Sequence, residues 1–222
     1  MRIVYINPNA TEAMTNGIVE TARVALPGAD IFGMTNSDGP AAIEGPEDGA
    51  AAVPGLLARL GPAQEQGADA IVIACFDDTG LAAAQAQAGC PVLGIGQASY
   101  VMARLLGLRF SVVTSLPVSI PVIDENIARS GFDGLCASVR ASGLPVLTID
   151  RGAPETVTRI AAEIEAARTE DGAACAILGC AGMAPLTPAL ARQTKIPLID
   201  GVAASALLAR AAAEFLGGAS IR

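Results

Sequence analysis

Two cysteines stand at matching places in a sequence that repeats itself once. Cys75 closes the apolar run Ala70-Ile71-Val72-Ile73-Ala74, and Cys180 closes Cys175-Ala176-Ile177-Leu178-Gly179, at an offset of 105 residues. Each run reads as a buried parallel strand, with its cysteine just past the carboxyl end and before a glycine-containing turn into a helix. Ligands of open α/β sheets bind at that end. If the two halves of the chain face each other, the two sulfurs approach one small molecule from opposite sides. That pairing suits inversion of a stereocentre next to a carbonyl: a thiolate removes the proton from one face and the opposing thiol protonates the other. A free thiol titrates near about 8.5, and apolar walls or a helix N-terminus move it either way, so both forms are reachable.

The other three thiols lack this placement. Cys90 precedes its strand and so belongs to the wrong end of the sheet, Cys175 lies within a strand, and Cys136 falls in a segment with no echo in the other half. All three read as small buried hydrophobes. Five cysteines, an odd number without C-x-x-C spacing, argue against a disulfide framework or a structural zinc site. Histidine is absent. That removes Ser-His-Asp triads, Cys-His pairs, His-bound zinc and imidazole acid–base chemistry. The two-thiol arrangement itself calls for no metal and no cofactor.

Around the pair, the backbone amides near Phe76-Asp77 and Ala181-Gly182 are candidates to hold a developing enolate oxygen. Asp77 and Asp78 would oppose ionisation of Cys75 if they pointed at it, and Asp78 reads as the N-cap of its own helix, facing away. Asn9 and Thr114 end the first strand of each half at the same rim. There they either bond ligand carbonyls and amides or serve turn and cap duty. Gly94-x-Gly96 follows a strand, but without a Gly-x-x-x-x-Gly-Lys run it is weak evidence for a nucleotide loop.

The elements that must position these groups are βα units. Short Ile- and Val-rich runs alternate with alanine-rich stretches of helical length, the pattern of parallel sheets buried on both faces. Strands are predicted at 2–6, 29–34, 70–74, 92–95, 110–114, 146–149, 174–179 and 197–199, and helices at 53–66, 81–88, 98–106, 121–130, 154–168 and 202–215. Residues 2–6 are echoed by 109–113 at an offset of 107, and 91–94 by 197–200 at 106. The fold class is α/β: two similar lobes of four parallel strands each, related by a pseudo-two-fold axis, with the site in the cleft between them. Residues 1–97 with a returning C-terminal helix at 205–222 are expected to form one lobe, and residues 98–204 the other.

Composition narrows the partners. At 222 residues and 52% hydrophobic, the chain can bury a sizeable core and is too apolar for disorder. A net charge of −8 without a basic footprint excludes nucleic acid and an anionic membrane surface as partners. With 3% aromatics and no Trp there is little material for base stacking. No signal-like h-region follows Met1-Arg2, and no apolar stretch nears the roughly 18–20 residues that span a bilayer. A cytoplasmic protein acting on a small-molecule substrate is expected.

The motifs extend nearly end to end: Asn7-Pro8-Asn9-Ala10-Thr11 with Met14-Thr15; Gly39-Pro40 with Ile43-Glu44-Gly45; Cys75-Phe76-Asp77-Asp78-x-Gly80-Leu81; Gly94-Ile95-Gly96-Gln97-Ala98; Phe110-Ser111-Val112-Val113-Thr114; Leu178-Gly179-Cys180-Ala181-Gly182-Met183; and Pro197-Leu198-Ile199-Asp200-Gly201. Together they resemble the aspartate/glutamate/hydantoin racemase superfamily, in particular its hydantoin/allantoin racemase branch. The resemblance implies flavodoxin-like lobes, a homo-oligomer, and cofactor-independent racemisation at C5 of 5-substituted hydantoins or allantoin by Cys75 and Cys180. It also implies pocket walls near Phe76 and Ile43 that sort C5 substituents by size. Glutamate racemases place Thr-His after the second cysteine where this chain has Ala181-Gly182, and arylmalonate decarboxylases keep only the second cysteine. The alternatives left open are an isomerase or lyase of small dicarboxylates, an amino-acid racemase, and a non-enzymatic two-lobed sensor.

Overall fold

Ile3, Val4, Tyr5 and Ile6 are all fully buried, which consecutive residues achieve only in a strand covered on both faces. Their strand, β1 (Arg2–Asn7), runs parallel to β2 (Asp30–Thr35) and β3 (Ala70–Ile73), and β3 pairs with β4 (Val92–Gly94), giving the order β2-β1-β3-β4. A second parallel sheet repeats the plan with β5 (Phe110–Thr114), β6 (Cys136–Ala141), β7 (Cys175–Gly179) and β8 (Leu198–Asp200), in the order β6-β5-β7-β8. The duplication expected from the sequence is thus a duplication of topology. The computed structural model describes residues 1–219, so positions 220–222 of the expected C-terminal helix lie outside the described residues.

Helices α1 (Glu12–Ala25), α2 (Pro46–Leu57), α3 (Leu60–Glu65), α4 (Leu81–Gln87) and α5 (Ile95–Leu106) accompany the first sheet. Helices α6 (Ile120–Arg129), α7 (Val146–Arg151), α8 (Pro154–Glu170), α9 (Thr187–Ala191) and α10 (Gly201–Ala219) follow. One apolar cluster runs from Ile3 and Tyr5 through Tyr100 and Phe110 to Ile177, so the two sheets share a core. A second cluster, with Val4, Ile6, Ile71 and Ile73 against Leu56, Leu60 and Ala84, covers the other face of the first sheet. Helix α10 packs on α1, α5 and β3, and the Tyr5 hydroxyl donates to the Val202 carbonyl at 3.1 Å. Among the described residues no helix is long and apolar enough to cross a membrane.

Three sequence expectations fail. Residues 146–149 are not a strand but the start of α7. Pro145 sets the entry to this helix, Val146 and Ile149 bury one face at helical spacing, and Gly152 at φ 64° ends it. The true counterpart of β2 is β6, opened by Cys136, so that segment does have an echo. As an edge strand, half-buried at every position, β6 needs no apolar run and its sequence has none. The helix expected at 53–66 is two helices, α2 starting earlier at Pro46 and α3 ending at Glu65.

Candidate active site

The equivalent strands β3 and β7 each deliver a cysteine to the carboxyl edge of their sheet, and the turns that follow have the same form. The Asp78 amide donates to the Cys75 carbonyl at 3.1 Å, and the Met183 amide to the Cys180 carbonyl at 3.0 Å. Both side chains line one pocket between the sheets. Asn9, Ile43, Phe76, Asp77, Thr114 and Ala181 line it too. Of the pocket residues expected from sequence only Gly182 is not in the wall, and its backbone amide favours the ionised form of Cys180. Ser115, Ser119 and Val146 join the wall unforeseen. Val146 was hidden by the mistaken strand, whereas Thr114-Ser115 already marked the end of β5.

The pocket holds its sulfurs as thiols. Burial pushes the Cys75 thiol far up, the Asp77 carboxylate adds to the effect, and the Thr79 hydroxyl and Asp77 amide counter it. The Thr79 Oγ1 lies 3.5 Å from the Cys75 sulfur. Burial likewise pushes Cys180 up to about 12; the Gly182 amide opposes this, and the carboxylates of Asp77, Asp150 and Glu44 reinforce it. Burial also carries the Asp77 carboxyl up to about 6. No side-chain hydrogen bond holds that carboxyl among the described residues, and no Lys or Arg lines the pocket. A thiolate generated here is therefore a strong base, of the kind a carbon acid requires.

One expectation about a neighbouring group needs correction. The Asp77 and Gly182 amides, named from sequence as donors to an enolate oxygen, also favour the ionised forms of Cys75 and Cys180. Asp78 does face away from Cys75 but does not cap its own helix. Held at φ 49°, it spans to the start of α5, where its carboxylate accepts from the Gly96 amide at 3.0 Å and the Gln97 amide at 2.7 Å. The glycine pair 94 and 96 makes room for this. A Cβ at Gly94 would lie 1.9 Å from Asp78 Oδ1, and one at Gly96 would lie 2.3 Å from the Phe76 carbonyl oxygen. The motif that hinted at a phosphate loop is thus filled by a carboxylate of the chain itself.

Of the two roles left open for Asn9, the structure shows the turn duty. Its Oδ1 accepts from Asn7 Nδ2 and from the Thr11 amide, both at 2.9 Å, which fixes the turn. Its Nδ2 has only the Met14 sulfur, at 3.3 Å. Thr114 Oγ1 donates to the Gly179 carbonyl at 3.0 Å, tying the ends of β5 and β7 beneath Cys180. Among the described residues there is no cluster of three or more Cys, Asp or Glu side chains arranged to hold a metal ion.

Comparison with known proteins follows this geometry. Residues 3–209 match the family described as Asp/Glu/Hydantoin racemase. A hydantoin racemase of Rhizobium meliloti is 43% identical over 212 residues, covering 95% of this chain and 88% of the relative. A hydantoin racemase of Pseudomonas sp. (strain NS671) is 37% identical, covering 92% and 82% of the two chains. Among solved structures, allantoin racemase from Klebsiella pneumoniae superposes with a TM-score of 0.92 at 38% identity, covering 97% of this chain and 88% of that one.

Proposed function

Because this chain belongs to the Asp/Glu/hydantoin racemase family and is a racemase, we propose that it racemises 5-substituted hydantoins or allantoin with Cys75 and Cys180 as paired acid and base. The observation that carries this reading is the pair of matching cysteine turns, one from each sheet, opening on a single pocket that no cation lines. One thiolate takes the C5 proton and becomes a thiol, while the C–H electron pair moves into the ring carbonyl as an enolate. The opposing thiol then protonates C5 from the other face and is left as the thiolate. No oxidant or reductant enters. The backbone amides around Phe76-Asp77 and Ala181-Gly182 face the developing enolate oxygen, and the Ser115 and Ser119 hydroxyls and Asn9 Nδ2 at the wall are further donors for the ring carbonyls.

Proton NMR in D2O with single enantiomers of allantoin and of a 5-alkylhydantoin tests the reading. Loss of the C5 proton signal together with loss of optical activity is the expected result, and an inert C5–H in both compounds overturns it. The high thiol pKa values add a pH signature. Each group is protonated in the resting site, and the reacting form needs one proton removed. kcat/KM should therefore rise about tenfold per pH unit between about pH 7 and 9, with no plateau near the ordinary thiol value of about 8.5. A pH profile flat above 7 would show that the resting thiolate is already formed and that burial does not govern these sulfurs.

A further inference from the structure

Two polar contacts cross the cleft beside the pocket, and they run in opposite directions. Asn126, on α6, donates from Nδ2 to the Asp77 carbonyl at 2.8 Å. That holds the turn on which the Asp77 amide meets the Cys75 sulfur. Glu44, in the segment after β2, accepts at Oε1 from the Val146 amide at 2.7 Å, which fixes the first turn of α7. Helix α7 packs on the Ala181–Leu186 turn that carries the amide facing Cys180. There the Cα of Gly182 lies close against the Asp150 backbone, so that an added Cβ would sit 3.4 Å from the Asp150 nitrogen.

The Glu44 segment is itself anchored. Its amide donates to Asp48 Oδ2 at 3.0 Å, and Thr11 Oγ1 donates to the Ala41 carbonyl at 2.7 Å. Gly45 at φ 135° brings the backbone against Val118 of the other half, where an added Cβ would lie 3.0 Å from the valine side chain. Each half thus reaches across to steady the cysteine turn of the other.

We propose that Asn126 and Glu44 are positioning residues of the racemase, Asn126 aligning Cys75 and Glu44 aligning Cys180. The inference rests on the two-thiol reading above. Neither residue touches the reacting carbon, so each acts through the aim of one sulfur, and small errors of aim are costly in proton transfer. Loss of either contact slows transfer at one face only.

Equal stability of the two enantiomers forces kcat/KM for the two directions to stay equal, so the asymmetry must be read from isotope effects. The experiment compares primary isotope effects on kcat/KM for the two C5-deuterated hydantoin enantiomers in wild type, Asn126→Ala and Glu44→Ala, with Glu44→Gln as the variant that keeps an acceptor for Val146. Both alanine variants should lose about tenfold in kcat/KM. In Asn126→Ala the isotope effect should grow for one enantiomer and shrink for the other. In Glu44→Ala the pattern should reverse, and Glu44→Gln, which keeps the acceptor but loses the carboxylate charge felt by Cys180, should return the ratio most of the way to wild type. A general loosening of the fold would move both enantiomers alike, so ratios that stay fixed or shift the same way in both variants overturn the proposal. A wild type that leaves C5–H of hydantoins inert overturns the two-thiol reading and the positioning roles with it.

Discussion

Cys75→Ser and Cys180→Ser should each lower racemisation by about 1000-fold or more, while Cys90→Ser leaves it within a factor of two. Removing a general acid or base commonly costs 10²- to 10⁴-fold, and a serine hydroxyl in an apolar pocket is a far weaker acid than a thiol. The substitution changes one atom, and both cysteines sit in turns closed by backbone hydrogen bonds, so the pocket should keep its shape. Polarimetry follows racemisation and NMR in D2O follows exchange at C5. With two bases on opposite faces, a single variant retains at most exchange of one enantiomer with retention of configuration. Cys90 is the fitting control because it precedes β4, at the opposite end of the first sheet from the pocket. Racemisation within tenfold of wild type in either serine variant would make that sulfur a wall residue and end the two-thiol account.

The cysteine pair was legible because it follows central strands. β3 and β7 are buried along their whole length, so their sequences are forced into short apolar runs, and a duplication keeps those runs in step. Edge strands carry no such obligation. In β6, Arg140 points outward to Glu163, Glu170 and Asp171, and the run Cys-Ala-Ser-Val-Arg-Ala reads as loop. The neighbouring Val-Leu-Thr-Ile, rich in β-branched residues, took its place in the reading although its burial follows helical spacing. Side-chain direction was the other blind spot. That Asp78 turns to α5 depends on one left-handed backbone angle, and that Glu44 meets Val146 depends on two segments 102 residues apart. Spacing along the chain carries neither fact.

The electrostatics of the pocket predict a strong discrimination by charge at C5. Among the described residues Asp77 presents a carboxyl without a side-chain hydrogen bond, Asp150 and Glu44 add negative potential at Cys180, and no residue lining the pocket is cationic. The arginines near the carboxyl ends of the sheets are engaged elsewhere: Arg59 on the Thr35 and Gly55 carbonyls, and Arg159 on the Ser142 carbonyl and Glu163. A carboxylate at about 5 Å from Asp77, in an effective dielectric of about 20, meets roughly 3 kcal/mol of repulsion, which corresponds to a factor of 100 or more. A hydantoin bearing a carboxyethyl group at C5 should therefore be racemised about 100-fold less efficiently than its carbamoylethyl isostere, which differs only in charge. Asp77→Asn should recover most of that gap, with the remainder left to Asp150 and Glu44. Comparing kcat/KM for the two compounds in wild type and variant is the measurement. Equal efficiency in the wild type would mean that the carboxyl groups are neutral in the complex or that the substituent points away from them. An unchanged gap in Asp77→Asn would transfer the discrimination to the Cys180 side, where Asp150 and Glu44 supply the negative potential.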